Sequence, residues 1–262
     1  MKYCARYSNK IKMDNFDEIR IYYDNQDKEL LNFLEKHADK RITLVIRDID
    51  KYFDDIGWRL INAIHAQYPQ YNLRVCFGEY RVFEPVSANL RICMEKLEVP
   101  YYTGYLVTNF EQLNHLCECG VSDVYIGEEI CFDLARVSRV CRRYKVETRT
   151  FPNVGQASIK TTPALKKFFI RPEDVEVYED CIDTLEFWGP EDRQETLRGI
   201  YEKREWFGNL RDLILDFNLS FDSRCIMPGF AIARKNCERK CMKGSACAIC
   251  DRVLSISEKL KD

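Results

Sequence analysis

Histidine is scarce in this chain. Only His37, His65 and His115 occur in 262 residues. Each falls in a helix-like stretch without a second histidine at ligand spacing, which argues against a histidine-based zinc hydrolase. No G-x-x-x-x-G-K-[ST], G-x-G-x-x-G or G-x-S-x-G string occurs, so neither a phosphate-cradling loop nor a serine nucleophile elbow is indicated. There is no run of about 18 apolar residues, so nothing is expected to cross a bilayer. The opening stretch MKYCARYSNKIKMDNFDEIR is polar and charged, which leads us to expect no secretory leader and a reducing, cytoplasmic setting. An excess of one charge is absent too. Forty lysines and arginines stand against 42 acids, for a net charge of −2, and this balance gives no global pull toward nucleic acid or membrane.

Cysteine, by contrast, is plentiful, with thirteen in the chain. Four of them, Cys237, Cys241, Cys247 and Cys250, fall within the run CERKCMKGSACAIC. A C-x3-C-x5-C-x2-C string brings four thiolates onto one centre with little loop to close, and four is the number required by a tetrahedral zinc site or a four-iron cluster. Zinc and an iron–sulfur cluster both remain open on this spacing, with Cys225 the nearest outside contributor. The C-x3-C-x2-C spacing of the radical S-adenosylmethionine enzymes is missing. Arg234, Lys235, Arg239, Lys240 and Lys243 surround the cluster and either offset thiolate charge or offer a local patch to RNA. Cys76, Cys93, Cys131 and Cys141 sit in strand- or helix-like runs where a small hydrophobe would serve, and they read as buried, inert thiols.

Elsewhere, short apolar runs alternate with amphipathic stretches. Strands are expected at Glu18–Tyr23, Arg41–Asp48, Asn72–Phe77, Pro100–Val107, Asp123–Ile126, Glu147–Phe151, Lys167–Ile170 and Thr184–Trp188, each followed by helical pattern. Eight such repeats in about 200 residues close most economically into an α/β fold of the (β/α)8 TIM-like barrel type. A doubly wound open sheet is the runner-up. We expect the barrel over residues 1–208, with 209–262 forming a cysteine-rich C-terminal extension packed on it.

In such a barrel the working face lies at the C-terminal ends of the strands. Polar residues expected there are Tyr23, Asp24, Arg47, Asp48, Asp50, Glu79, Thr108, Asn109, Glu128, Glu129, Arg149, Asn153, Arg171 and Glu186. Arginine grips carboxylate and phosphate with two parallel hydrogen bonds, which makes Arg149 and Arg171, with Glu186, the candidate substrate-binding residues. The competing expectation is that arginines and carboxylates in the mouth satisfy one another.

The segment FFIRPEDVEVYEDCIDTLEFWG (residues 168–189) resembles a recurrent stretch of the collagenase-like peptidase family, peptidase family U32. Ile182, Asp183 and Glu186 stand where that family has Ile-Asp-x-x-x-x-Glu-Gly, Ile200 and Tyr201 fit its following helix, and GVSDVYIG (residues 120–127) is similar to its Gly-x-x-x-Val-Tyr-x-Gly strand. The chain departs from the pattern at Glu186-Phe187-Trp188-Gly189, where the family has Lys-Ile-Glu-Gly. It departs again in gathering its four clustered cysteines into one tail segment. The resemblance implies a TIM-like barrel with cysteines that hold an iron–sulfur cluster, and a modification reaction such as hydroxylation of RNA or of a small molecule. The alternative is a non-enzymatic scaffold with a structural zinc clamp.

Overall fold

In a computed structural model of the protein, the described residues are 1–8, 12–23, 27–47, 57–82, 86–127, 130–154, 165, 167–215, 217, 220–227, 229–235, 237 and 249–259. Eight parallel strands close on themselves: β1 (Lys2–Arg6), β2 (Glu18–Tyr22), β3 (Arg41–Ile46), β4 (Asn72–Val82), β5 (Tyr101–Val107), β6 (Asp123–Ile126), β7 (Glu147–Thr150) and β8 (Thr184–Glu186). Closure is made by β1, which pairs with β2 on one side (Cys4 beside Glu18) and with β8 on the other (Cys4 beside Glu186). Among the described residues the α-helices that follow the strands are α1 (Asp27–Lys36), α2 (Gly57–Gln67), α3 (Ala88–Lys96), α4 (Phe110–Glu118), α5 (Leu134–Tyr144), the single turn α6 (Val175–Tyr178) and α7 (Glu191–Lys203). The expected (β/α)8 barrel therefore forms, but not from all of the expected strands.

Two assignments differ, and they cancel in the count. KYCAR forms β1 although no strand is expected there; its alternation is short and its apolar positions are only Tyr3 and Ala5, with Cys4 between them. Lys167–Ile170 was expected as a strand and lies outside the barrel sheet. Its aromatic run is buried by other means. Phe168 packs edge-on against Phe132 and Tyr178, and Phe169 against Phe217, while the Ile170 carbonyl accepts from the Tyr201 hydroxyl. An apolar run of this length signals burial in extended form, not which backbone it pairs with.

The strands are patterned in an unusual sense. Outward positions such as Ile19, Ile42, Leu44, Val75, Phe77, Val124, Ile126 and Leu185 are apolar and buried under the helices. Inward positions carry Glu18, Arg20, Thr43, Arg74, Tyr102, Asp123, Tyr125, Arg149 and Glu186, all buried as well. Barrel interiors are more often filled with branched aliphatic residues. Helix ends follow local chemistry. Ser87 caps α3 by accepting from the Leu90 N–H, and Asn109 caps α4 by accepting from Gln112. At Gly127, after β6, a Cβ would lie 2.7 Å from the Val107 carbonyl oxygen, so this close approach of β6 to β5 requires glycine.

Residues after α7 pack back onto the barrel. They include α8 (Leu210–Leu213), α9 (Phe230–Lys235) and α10 (Ile249–Lys259). Arg171 donates to the Ser223 carbonyl, Arg234 to the Lys167 carbonyl, Tyr178 to the Ala231 carbonyl, and Leu215 N–H to the Asn153 carbonyl. No helix among the described residues is long and apolar enough to cross a membrane.

Because β1 is flanked by sheet on both sides, removing residues 1–7 exposes the edges of β2 and β8. The truncated chain is expected to lose its cooperative thermal transition in circular dichroism. A melt within a few degrees of the full chain would show that β1 does not close the barrel.

Candidate functional site

The barrel interior is a continuous ion-pair network. At its centre the Arg149 guanidinium, fully buried, donates to both oxygens of Glu18 (3.0 Å each), to Asp123 (2.7 Å) and to the Tyr102 hydroxyl (3.0 Å). Glu18 also accepts from Thr43 at 2.9 Å. Toward the N-terminal end, Glu147 accepts from Arg41 (2.7 Å), Lys2 (2.9 Å) and Arg74 (3.4 Å), and Arg74 pairs with Asp123. Toward the C-terminal end, Glu186 pairs with Arg20 and accepts from the Tyr125 hydroxyl at 2.5 Å, with Arg149 3.9 Å away. Arg20, Arg41, Arg74 and Arg149 thus face Glu18, Asp123, Glu147 and Glu186, four against four, with the more exposed Lys2 added at the N-terminal rim.

This balance sets the ionisation states. Burial alone would raise the Glu18 carboxyl, but the charge and hydrogen bonds of Arg149, aided by Arg41, hold it down at about 2. Glu147 is held at about 2 in the same way: Arg41 and Lys2 bond to it, and Arg74 adds its charge, all against burial. Burial dominates at the thiols. It pushes Cys76 up to about 11, despite Arg20 nearby, and Cys4 well above the usual thiol range. Neither is a thiolate nucleophile at neutral pH.

At the C-terminal mouth the network reaches a cavity of about 380 Å³, lined by Glu186 together with Arg6, Trp188, Gly189, Gln194 and Leu215 among others. Arg6 ends β1, and its backbone N–H donates to Gln194 on α7 at 3.1 Å. Its guanidinium lies 5.3 Å from the Tyr22 ring and 5.5 Å from the Trp188 ring, and Arg47 stacks on the other side of the row, 3.4 Å over Tyr22. Cation and ring alternate across the ends of β3, β2, β1 and β8, an attractive arrangement. Trp188 is held from behind. The Asn153 side chain accepts from its N–H (3.0 Å) and donates to its carbonyl (2.6 Å), and Phe151 meets its ring edge-on. The extension supplies Leu215 to the cavity wall, anchored on Asn153.

The sequence-derived candidates fall in different places. Arg149 and Glu186 share the interior network, but only Glu186 also lines the cavity. Arg171 does not converge with them. It binds Asp174 and Glu173 in its own turn and the Ser223 carbonyl of the extension. Asp24, Asp48, Asp50, Glu128 and Glu129 lie outside the described residues. Arg6, Trp188 and Gln194 were not singled out. Arg6 was out of view because β1 was, and Trp188 read only as a departure from a family pattern.

Of the four clustered cysteines, Cys241 and Cys247 lie outside the described residues. Cys237 follows α9 and Cys250 sits in the first turn of α10, both half-buried against the core. The turn carrying Cys225 packs against α10, the helix that carries Cys250. Among the described residues, no group of three or more histidines, cysteines or acids is arranged to hold a metal. A donor set of four thiols is chemically suited to zinc or to an iron–sulfur cluster.

No protein-family model and no curated protein matches the chain. Among solved structures, the chain is similar to the U32 peptidase Mk0906, at 11% identity over 72% of this chain and 93% of that one, with a TM-score of 0.43. The resemblance read in the sequence is to the same family.

Two outcomes follow from the network. Arg149→Met strands Glu18 and Asp123 and is expected to cost about 3–5 kcal/mol, whereas adding Glu18→Leu restores part of the loss in a double-mutant cycle by urea unfolding. With the Glu18 and Glu147 carboxyls depressed in the folded state, their stabilisation is complete above about pH 5 and drains away as pH falls toward about 2. Glu18→Gln should flatten the urea midpoint over that window; an unchanged slope would mean that Glu18 is not held ionised.

Proposed function

We propose that this chain is a ligand-binding barrel protein that modifies a small molecule, or an RNA presenting one reactive group, at the mouth over β8 and β1. The observation that carries this reading is Glu186, a buried carboxylate that joins the interior network to the floor of the cavity. Each carboxylate oxygen accepts more than one hydrogen bond, so Glu186 retains acceptor capacity toward a ligand while Arg20 and Tyr125 fix its position. A group placed this rigidly orients a substrate without reorganising. Leu215 and Trp188 add apolar surface to the lining of the cavity.

The cysteine string completes the proposal. Cys237, Cys241, Cys247 and Cys250 would hold the metal, which as an iron–sulfur cluster supplies electrons and as zinc supplies only a tetrahedral clamp. In either case the metal ties α9 to α10 and so steadies the extension that carries Leu215. A second reading, a catalytically silent scaffold with a zinc clamp, draws support from the mutually paired charges of the interior.

Metal analysis and the visible spectrum of anaerobically purified full-length chain separate the two. The enzyme reading expects iron with broad absorbance near ~400 nm, reduced when Cys237 and Cys250 are both changed to serine. A colourless protein with one equivalent of zinc favours the scaffold. Metal-free protein with four readily titrated tail thiols would overturn both.

A further inference from the structure

We propose that the outer face of α5 binds the phosphate backbone of a nucleic-acid strand through Arg136, Arg139 and Arg143, flanked by Arg142 and Lys145. None of these residues lines the mouth cavity, so the proposal goes beyond the reading of the mouth and does not rest on it.

Charge is the first observation. The chain carries 40 basic and 42 acidic residues, yet residues 134–146 hold five cations and no acid. All five are exposed. α5 turns Leu134, Val137, Ser138 and Cys141 into the core. At about 3.6 residues per turn, Arg136, Arg139 and Arg143 fall in one stripe on the opposite, solvent side.

The second observation is what these side chains touch. Arg139 donates to the Ala135 carbonyl of its own helix at 3.4 Å, Arg142 donates to the Asp180 carbonyl at 2.8 Å, and Arg136 lies 3.9 Å over the Phe110 ring. None of the five forms an ion pair with a carboxylate among the described residues. The carboxylate of Asp180 is taken by Lys235. A guanidinium has five N–H donors, and Arg139 and Arg142 each use one in these bonds. The basic run around the clustered cysteines differs: Arg234 is buried and bonded to the Lys167 carbonyl, and Lys235 is paired.

Helix stability does not account for the pattern. Cations suit the last turn, where Arg142 and Arg143 precede the left-handed Lys145 that ends α5. Arg136 stands in the first turn, where a cation opposes the dipole, and Arg139 has further arginines three and four residues away. A polyanion relieves that repulsion. Arginine grips phosphate through paired N–H groups, and the stripe from Arg136 to Arg143 runs about 10 Å, the reach of about three phosphates along a strand. Tyr144, 37% exposed, lies beside Arg143, whose guanidinium carbon is 5.7 Å from the ring, and such a ring stacks on any base. Protein interfaces and membrane-bound helices need an apolar centre, and Tyr144 is the one large hydrophobic residue that α5 exposes.

The test is fluorescence anisotropy of the full-length chain with labelled short oligouridylate RNA and oligothymidylate DNA, from about 50 to about 200 mM KCl. We expect binding that weakens with salt, with a slope of log K on log[KCl] of about −2 to −3. Combining Arg136→Gln, Arg139→Gln and Arg143→Gln should weaken binding about tenfold or more and flatten the slope by about 2, whereas lysine at all three positions keeps the slope. Tyr144→Leu should weaken binding and leave the slope unchanged. These positions are exposed, and circular dichroism melts check that each variant folds. Equal binding of the two strands assigns the backbone alone, and a preference names RNA or DNA; both results support the proposal. No binding at the lowest salt, or wild-type affinity and slope in the triple glutamine variant, would overturn it. Phosphatidylserine-containing vesicles and polyglutamate are titrated in parallel. If either binds with dependence on the three arginines while the oligonucleotides do not, the face belongs to a membrane or an acidic protein and the proposal is wrong.

Discussion

The structure depends on the grip of Arg149 on Glu18 and Asp123. An eight-stranded barrel must fill its interior with side chains, and this one fills it with charge. Such an interior is tolerable only if every ion has a partner, because an isolated buried charge costs several kcal/mol even after relaxation. Arg149 meets that condition for two carboxylates at once, and the remaining arginines extend the pairing toward both ends of the barrel. Replacing buried ion pairs with packed hydrophobes is often neutral or stabilising. What the network provides is therefore register. Shifting any strand by one residue turns its charged inward set outward, under the helices, and that error is far more costly here than in an aliphatic interior.

The same network links fold to function. Glu186 belongs to the interior by its bonds to Arg20 and Tyr125, and to the mouth by its place in the cavity floor. A carboxylate held at both oxygens cannot swing toward a ligand, so the cavity is shaped in advance. Around it, Asn153 fixes Trp188 and anchors Leu215 by separate hydrogen bonds. One buried side chain and its own carbonyl thereby bring a ring of the barrel and a residue of the extension into the lining of the same cavity.

Much of this architecture was legible in the sequence, and the failures have physical reasons. The outward faces of the strands are β-branched, aliphatic or aromatic, as at Ile42, Val75 and Val124, and such runs register plainly. β1 was missed because its inward face is Lys2, Cys4 and Arg6, leaving too little apolar signal in five residues. Lys167–Ile170 is over-read because burial of Phe168 by Phe132 and Tyr178, and of Phe169 by Phe217, leaves the same trace as burial in a sheet. In the sequence Arg149, Arg171 and Glu186 look alike as polar residues of the mouth, and only the register of β7 shows Arg149 as the barrel's keystone. Arg171 instead ties its own acidic turn to the extension. The mouth row of Arg47, Tyr22, Arg6 and Trp188 draws on four strands far apart in sequence, which no local pattern reveals.

The central claim, that a rigid guanidinium gripped through both its terminal nitrogens organises the barrel, is open to direct observation. In nitrogen-15 NMR of the Arg149 side chain, a guanidinium held by Glu18, Asp123 and Tyr102 cannot rotate freely. Separate, slowly exchanging Hη signals are therefore expected at neutral pH, assigned by their loss in Arg149→Met or, if that variant does not fold, by selective arginine labelling. A single averaged Hη signal that exchanges rapidly with water would contradict the claim.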